Sequence, residues 1–297
     1  MRFLITLWQF SRPHTIIGST LSIIALYLIA LHGSPEGAGS GFVLALSLLS
    51  AWACNIYITG LNQWSDVEVD VINKPWLPIP AGRLSRRQAL NVVIVCGVIA
   101  IVATLPFHPG FTGLIFLIMA IGTAYSLPPL KFKRSHILAA AAITLVRGLL
   151  VNVGFYLHFS YELSGGMGTA ADIIPLIVFV AAFSLGIAWF KDIPDTAGDA
   201  EYQFGTLAVK AGRRRAFLAG VLVVSAAYVC VIAAALTGYL PAKLYFVGTH
   251  LIALLLFWWQ ARALQVSDDK QVKRFYLFFW GLFFIEYIIY PLGFYLS

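Results

Sequence analysis

Charge is scarce in this 297-residue chain. Asp, Glu, Lys and Arg make up 11% of it while apolar residues reach 60%, against about 25% charged and 45–50% apolar in a soluble domain. That balance excludes a soluble globular enzyme, and a mean hydropathy of +0.85 excludes a disordered chain. Cysteine is scarce too. Cys54, Cys96 and Cys230 lie in apolar runs without metal-ligand spacing, which excludes a zinc site and reads as buried, reduced thiols. Histidine is thinly scattered: His32, His108, His136, His158 and His250 show no ligand spacing and read as structural. A polytopic membrane protein remains.

The apolar runs read as nine spans at about 15–32, 41–61, 88–106, 111–126, 137–157, 173–191, 216–237, 244–263 and 275–296, punctuated by Pro, Gly and charge. The stretch after Arg2 runs on into the first span without a clear small-residue cleavage site, so it reads as part of the bundle and not as a leader. Of the 20 Lys and Arg, 18 fall in one set of connections. Lys243 alone falls in the other set, and Arg147 falls inside a span. Basic residues gather on the cytoplasmic side, so the expected fold is all-α. It is a single transmembrane domain over residues 1–297, with nine helices around a central cavity and a cytoplasmic N-terminus. The net charge of +7 serves this orientation, so nucleic acid is not an expected partner. The bilayer is a partner, and no obligatory protein partner is expected. The Arg213-Arg214-Arg215 cluster reads as a topogenic anchor in contact with anionic lipid.

The 13 acids are just as uneven. Seven sit in two short stretches, Asp66, Glu68, Asp70 and Asp192, Asp195, Asp199, Glu201. Each follows an even-numbered span and so opens on the cytoplasmic side, a hint of a pseudo-repeat. Asn62, Asp66 and Asp70 are spaced i, i+4, i+8, along one helical face. Asp192, Asp195 and Asp199 follow i, i+3, i+7, although Pro194 can kink or restart that helix. Glu68 points elsewhere, toward solvent. Stacked carboxylates repel one another unless divalent cations sit among them. Mg²⁺ takes one or two carboxylates together with substrate phosphate oxygens, so two such faces can hold a diphosphate through metal. Asn62, Asp66, Asp70, Asp192, Asp195 and Asp199 are the candidate metal and catalytic residues. Lys74, Lys131, Lys133 and Lys191 lie on the same side as candidates for phosphate oxygens.

At these motifs the sequence resembles the UbiA superfamily of intramembrane prenyltransferases. Within it, it looks most like the branch that prenylates homogentisate, the phytyltransferases of tocopherol biosynthesis. Four stretches carry this: Phe10 to Gly18, Gly60 to Pro75 with both Asp66 and Asp70, Gly122 to Pro129, and Lys191 to Asp195. Trp64-Ser65 departs from the Leu-Phe or Leu-Trp pair of that branch, at positions off the aspartate face. The resemblance covers essentially the whole chain. It implies Mg²⁺-dependent transfer of a phytyl or geranylgeranyl group from its diphosphate to homogentisate, with loss of CO₂. It also implies a bacterial inner or thylakoid-type membrane, with the site opening to the cytoplasm. It places Tyr125 in the site, and Arg12 and His14 beside the acceptor.

Arg147, the basic residue deep in a span, reads either as a ligand of diphosphate or acceptor carboxylate, or as the partner of Glu286, the one deep acid. Other acceptors (4-hydroxybenzoate, a naphthoate, a chlorophyllide) stay open. A transporter stays open as a remote alternative, and its ionisable groups would cluster at the bilayer midplane instead.

Overall fold

The computed structural model describes residues 2–35, 37–166 and 170–297. They fold into α1 (Arg2–Phe10), α2 (Pro13–His32), α3 (Gly41–Ser65), α4 (Val67–Asn73), α5 (Arg86–Val102), α6 (Pro109–Ser126), α7 (His136–Ile143), α8 (Val151–Ser164), α9 (Ile174–Asp192), α10 (Thr196–Glu201), α11 (Leu207–Ala211), α12 (Arg213–Leu236), α13 (Lys243–Ala263) and α14 (Asp269–Tyr295). A π-helical turn at Thr144–Leu150 joins α7 to α8. Among the described residues there is no strand, only a lone bridge between Ser135 and Gly205.

Among the described residues eight helices are long and apolar enough to cross a bilayer: Pro13–His32, Gly41–Ser65, Pro109–Ser126, His136–Ser164, Ala170–Asp192, Arg213–Leu236, Lys243–Ala263 and Asp269–Tyr295. The expected span at 88–106 is α5. Its 17 residues reach about 26 Å, slightly short of a hydrocarbon core of ~30 Å. Local chemistry sets several helix starts. Ser85 caps α5 in a reciprocal box with Gln88, and the Asp268 carboxylate accepts from the Lys270 and Gln271 amides at the start of α14.

The bundle is apolar outside as well as inside. Leu222, Leu244 and Phe116 are 71%, 85% and 67% exposed, which is costly in water and neutral in lipid. Cys230 belongs to this outer surface. It was expected to be buried and is exposed on α12, while Cys54 is buried and Cys96 half-buried. An apolar run in a membrane helix does not say which face meets protein. The interior is aromatic where α9, α12 and α14 meet. Phe183 stacks on Phe279 with ring centres 4.7 Å apart, and Phe190 and Tyr228 pack edge-on around them.

Glu286 lies in this interior. It pairs with His250, Nε2 to Oε2 3.1 Å, and His250 Nδ1 sits 2.8 Å from the Phe246 carbonyl. The alternative pairing of Arg147 with Glu286 is therefore incorrect: the acid is held by α13, while Arg147 faces the other way.

The π turn aims Arg147. Widening a helix by one residue releases carbonyls from their usual amides. Here Asn152 Nδ2 donates to the carbonyls of Arg147 (2.8 Å) and Gly148 (2.9 Å), and Tyr287 of α14 donates to Asn152 Oδ1 at 3.0 Å. Gly148 in the same turn lets α9 come close, because a Cβ there would lie 2.7 Å from the Ala181 Cα. Small residues permit such approach between membrane helices. Gly148→Val is expected to lower stability by about 1–3 kcal/mol, read as a lower unfolding temperature of the detergent-solubilised protein. Gly113→Ala, where a Cβ would meet nothing within 4 Å, is expected to leave that temperature unchanged.

Candidate active site

Both acidic motifs break the helix that carries them. Asp66 leaves α3 at φ −113°, ψ 19°, and the chain resumes as α4. Asp192 ends α9, and α10 restarts after Pro194, which realises the restart expected from that proline. The short helices α4 and α10 pack against each other. Asn73 ties them together: its Oδ1 accepts from the Gly198 amide (3.0 Å) and its Nδ2 donates to Asp199 (3.3 Å). Asn73 was not among the candidate site residues. Its register, 11 residues after Asn62 on the same face, is the signal that could have found it.

A single cavity of about 950 Å³ lies above this junction. Asn62, Asp66, Asp70, Asp192, Asp195, Asp199, Lys74, Lys133, Lys191, Arg12, His14, Tyr125 and Arg147 all line it. Lys131 does not line it. Its ammonium rests 5.6 Å over the Phe204 ring. The inner part is apolar, bounded by Ile23, Ala51, Cys54, Ile115 and Phe155.

All five aspartates are buried, at 4–8% exposure. Uncompensated burial of so much charge is prohibitive, and three lysines relieve it. Lys133 pairs with Asp66 at 2.6 Å, Lys191 with Asp192 at 2.5 Å, and Lys74 bridges Asp195 and Asp70 across the two motifs. Asn62 donates to Asp66 at 3.1 Å, and Arg12 reaches Asn62 Oδ1 at 3.5 Å. Ser65 belongs to this network, because its hydroxyl accepts from Lys133 at 2.6 Å. The expectation that position 65 lies apart from the aspartate face thus needs correcting. The break at Asp66 turns it inward.

The three lysines pair with Asp66, Asp70, Asp192 and Asp195, and Asp199 makes no ion pair among the described residues. Asp70 Oδ2 is buried with no hydrogen-bond partner. An all-oxygen set of carboxylate donors suits a hard divalent cation. Among the described residues no three acidic, histidine or cysteine side chains converge to hold an ion unaided. A cation here therefore needs water or phosphate oxygens as well, the usual habit of Mg²⁺.

Farther in, the Arg147 guanidinium lies 4.8 Å over the Trp280 ring and 5.7 Å over Phe283, and its Nη1 is buried without a partner. His14 meets Trp280 edge-on at 5.0 Å. Asn55 donates to Ser19 at 2.8 Å and to the Thr15 carbonyl at 3.1 Å. Neither Trp280 nor Asn55 stood out in sequence, since apolar helices carry such residues for packing.

The site is thus a charged mouth opening on an apolar chamber within a bundle of helices long enough to cross a membrane. The chain belongs to the UbiA prenyltransferase family, whose model matches residues 19–283. It is 40% identical over 296 residues to homogentisate phytyltransferase of Synechocystis sp., covering 97% of this chain and 95% of that one. It is 38% identical over 300 residues to homogentisate solanesyltransferase of Arabidopsis thaliana, covering 98% and 77%. A UbiA homolog from Archaeoglobus fulgidus bound to GPP and Mg²⁺ shares the fold, with a TM-score of 0.67, 15% identity and coverage of 98% and 100%.

Burial pushes the Asp70 carboxyl up to about 6 and the Asp199 carboxyl up to about 7, and it pulls the Lys133 ammonium down to about 8. A carboxyl with a raised pKa keeps its proton to higher pH, and a metal needs the anion. Mg²⁺ affinity is therefore expected to be near its maximum at pH 8 and to fall on acidification. Two protons competing at these pKa values weaken it roughly 20-fold at pH 6, to be measured by Mg²⁺ titration at both pH values.

Proposed function

We propose that this enzyme transfers a phytyl or geranylgeranyl group from its diphosphate to the aromatic ring of homogentisate, releasing diphosphate and CO₂. The observation that carries this reading is one cavity joining two facing acidic motifs, an arginine over Trp280 whose Nη1 is buried, and an apolar chamber. The relatives named above support the acceptor.

Asn62, Asp66, Asp70, Asp192, Asp195 and Asp199 would hold Mg²⁺ with the diphosphate. Bound there, the ion neutralises phosphate charge and stabilises the leaving group. Lys74, Lys133 and Lys191 shift from their carboxylates toward phosphate oxygens as the donor enters. Lys131, whose ammonium rests over Phe204 outside the cavity lining, would have to turn toward the mouth to reach a phosphate oxygen. The bond between the allylic carbon and the diphosphate oxygen breaks, and its electron pair leaves with the diphosphate. The carbon end becomes cation-like against aromatic faces, among them Tyr125, Trp280 and Phe283. Arg147 and Arg12 hold the acceptor carboxylate, and His14 faces its hydroxyl. The ring attacks the cation-like carbon and loses the ring proton at that position. The side-chain carbon gains a proton as its carboxylate departs as CO₂, so protons and electrons balance. The apolar walls keep out water, which would quench the cation.

We further propose a single domain over residues 1–297 with nine spans. The segregation of Lys and Arg supports a cytoplasmic N-terminus and cytoplasmic mouth, in a bacterial inner or thylakoid-type membrane. The bilayer and the two substrates are the only partners this reaction requires.

Purified protein is expected to release CO₂ from carboxyl-labelled homogentisate only with a prenyl diphosphate and Mg²⁺. Asp66→Ala is expected to lower the rate at least about 100-fold. Folded protein that releases no CO₂ with either phytyl or geranylgeranyl diphosphate would refute this pairing of donor and acceptor, and no release with solanesyl diphosphate either would refute the acceptor. Arg147→Met is expected to raise the KM for homogentisate more than tenfold while changing the KM for the prenyl diphosphate little. The reverse pattern would assign Arg147 to the diphosphate.

A further inference from the structure

A second concavity lies on the lipid-facing side of the bundle, away from the reaction chamber. It runs between α12 and α13, holds about 530 Å³, and is lined by Phe217, Leu218, Val221, Leu255, Trp258, Trp259, Ala261 and Arg262. Its walls are apolar, with Leu218, Leu255 and Trp259 about half exposed. Trp258 is fixed in place, its Nε1 donating to Ser225 Oγ at 2.8 Å.

The groove is polar at only one end. Arg262 lines it in the last turn of α13, and α12 packs beside α13 starting from Arg213. By helical register Arg214 shares the face of Leu218, Val221 and Ser225, at i, i+4, i+7 and i+11. Arg213 is committed to Asp269. Arg214 and Arg262 are exposed and make no ion pair among the described residues. Arg262 therefore closes one end of an apolar trough, Arg214 lies one helical turn from its Leu218 wall on the same face, and Trp258 and Trp259 sit within a turn of Arg262.

We propose that this groove is a binding site for one anionic phospholipid. Its phosphate sits between Arg214 and Arg262, and an acyl chain lies along Leu218, Val221, Leu255 and Trp259. Charge decides for this occupant. Arg is the residue suited to bidentate capture of phosphate. A zwitterionic lipid offers an ammonium that two arginines repel. A second copy of this chain would bring the same positive end to the same place.

Native mass spectrometry of the intact protein, with added phosphatidylglycerol or phosphatidylcholine, tests this. One phosphatidylglycerol should be retained at collision energies that strip phosphatidylcholine. Arg214→Ala/Arg262→Ala should lower its retention at least fivefold, and Arg214→Lys/Arg262→Lys should restore part of it. Arg87→Ala, which removes one exposed charge from the start of α5, should leave it unchanged. Equal retention of both lipids, equal loss in Arg87→Ala, or a lipid-free dimer whose contact is broken by Trp259→Ala would each overturn the proposal. Because the readout is lipid retention, the outcome is independent of which prenyl acceptor the enzyme uses.

Discussion

Five carboxylates removed from water at one end of a membrane bundle are the constraint on which the rest of this structure depends. No single carboxylate in such a place survives ionised without a counter-charge. The chain supplies three ammonium groups from three different connections: Lys74 after α4, Lys133 after α6 and Lys191 at the end of α9. Lys74 is the most consequential, because it bridges Asp70 of one motif and Asp195 of the other. The two halves of the site are thereby registered before any substrate arrives. The pairing is incomplete: Asp199 has no lysine partner among the described residues, and one oxygen of Asp70 has no hydrogen-bond partner. A fully neutralised cluster would be a structural knot, with nothing left over for binding.

Irregular backbone follows from the same constraint. A continuous helix through Asp66 would carry the carboxylates on along the α3 axis. Ending α3 at Ser65 and restarting at Val67 instead folds Asp70 and Asn73 under α10. Pro194 does the same for the second motif. Broken helices are tolerated at membrane depth only where they border a cavity or are buried in protein, and both breaks do border one. The π turn around Arg147 has the same logic deeper in the bundle. The carbonyls of Arg147 and Gly148 accept from Asn152, which is held in turn by Tyr287, so two carbonyls of the turn keep a donor while the guanidinium is presented to the chamber.

Much of this was legible before any coordinates. Helices in lipid announce themselves by length and apolarity, and the acids of an acid-poor chain mark their own site. The i, i+4, i+8 spacing of Asn62, Asp66 and Asp70 survives the break because the Asp70 amide still bonds the Asp66 carbonyl at 2.8 Å. What escaped was pairing. Nothing in the sequence says that Glu286 takes His250 in preference to Arg147. The two candidates lie on different helices, and the choice is made by how α13 and α14 face each other. Likewise Ser65 seemed outside the site because an unbroken helix would place it there. Cys230 misled for a more general reason. In a soluble protein an apolar run predicts burial, but in lipid both faces of a helix are apolar, so hydropathy loses its sense of direction.

The head and the tail of the cavity answer to different physics. At the mouth, position is set by charge, which tolerates little substitution because each lysine answers a particular aspartate. In the chamber, walls such as Ala51, Cys54, Ile115 and Phe155 act only through volume. A chain of CH₂ and CH₃ groups offers nothing to recognise but its length and shape. Relatives named for phytyl and for solanesyl donors resemble this chain almost equally, at 40% and 38% identity. In this chain the walls that a tail would meet are apolar side chains fixed by no ion pair, so they are the part of the cavity whose volume can change without disturbing the lysine–aspartate pairs at the mouth.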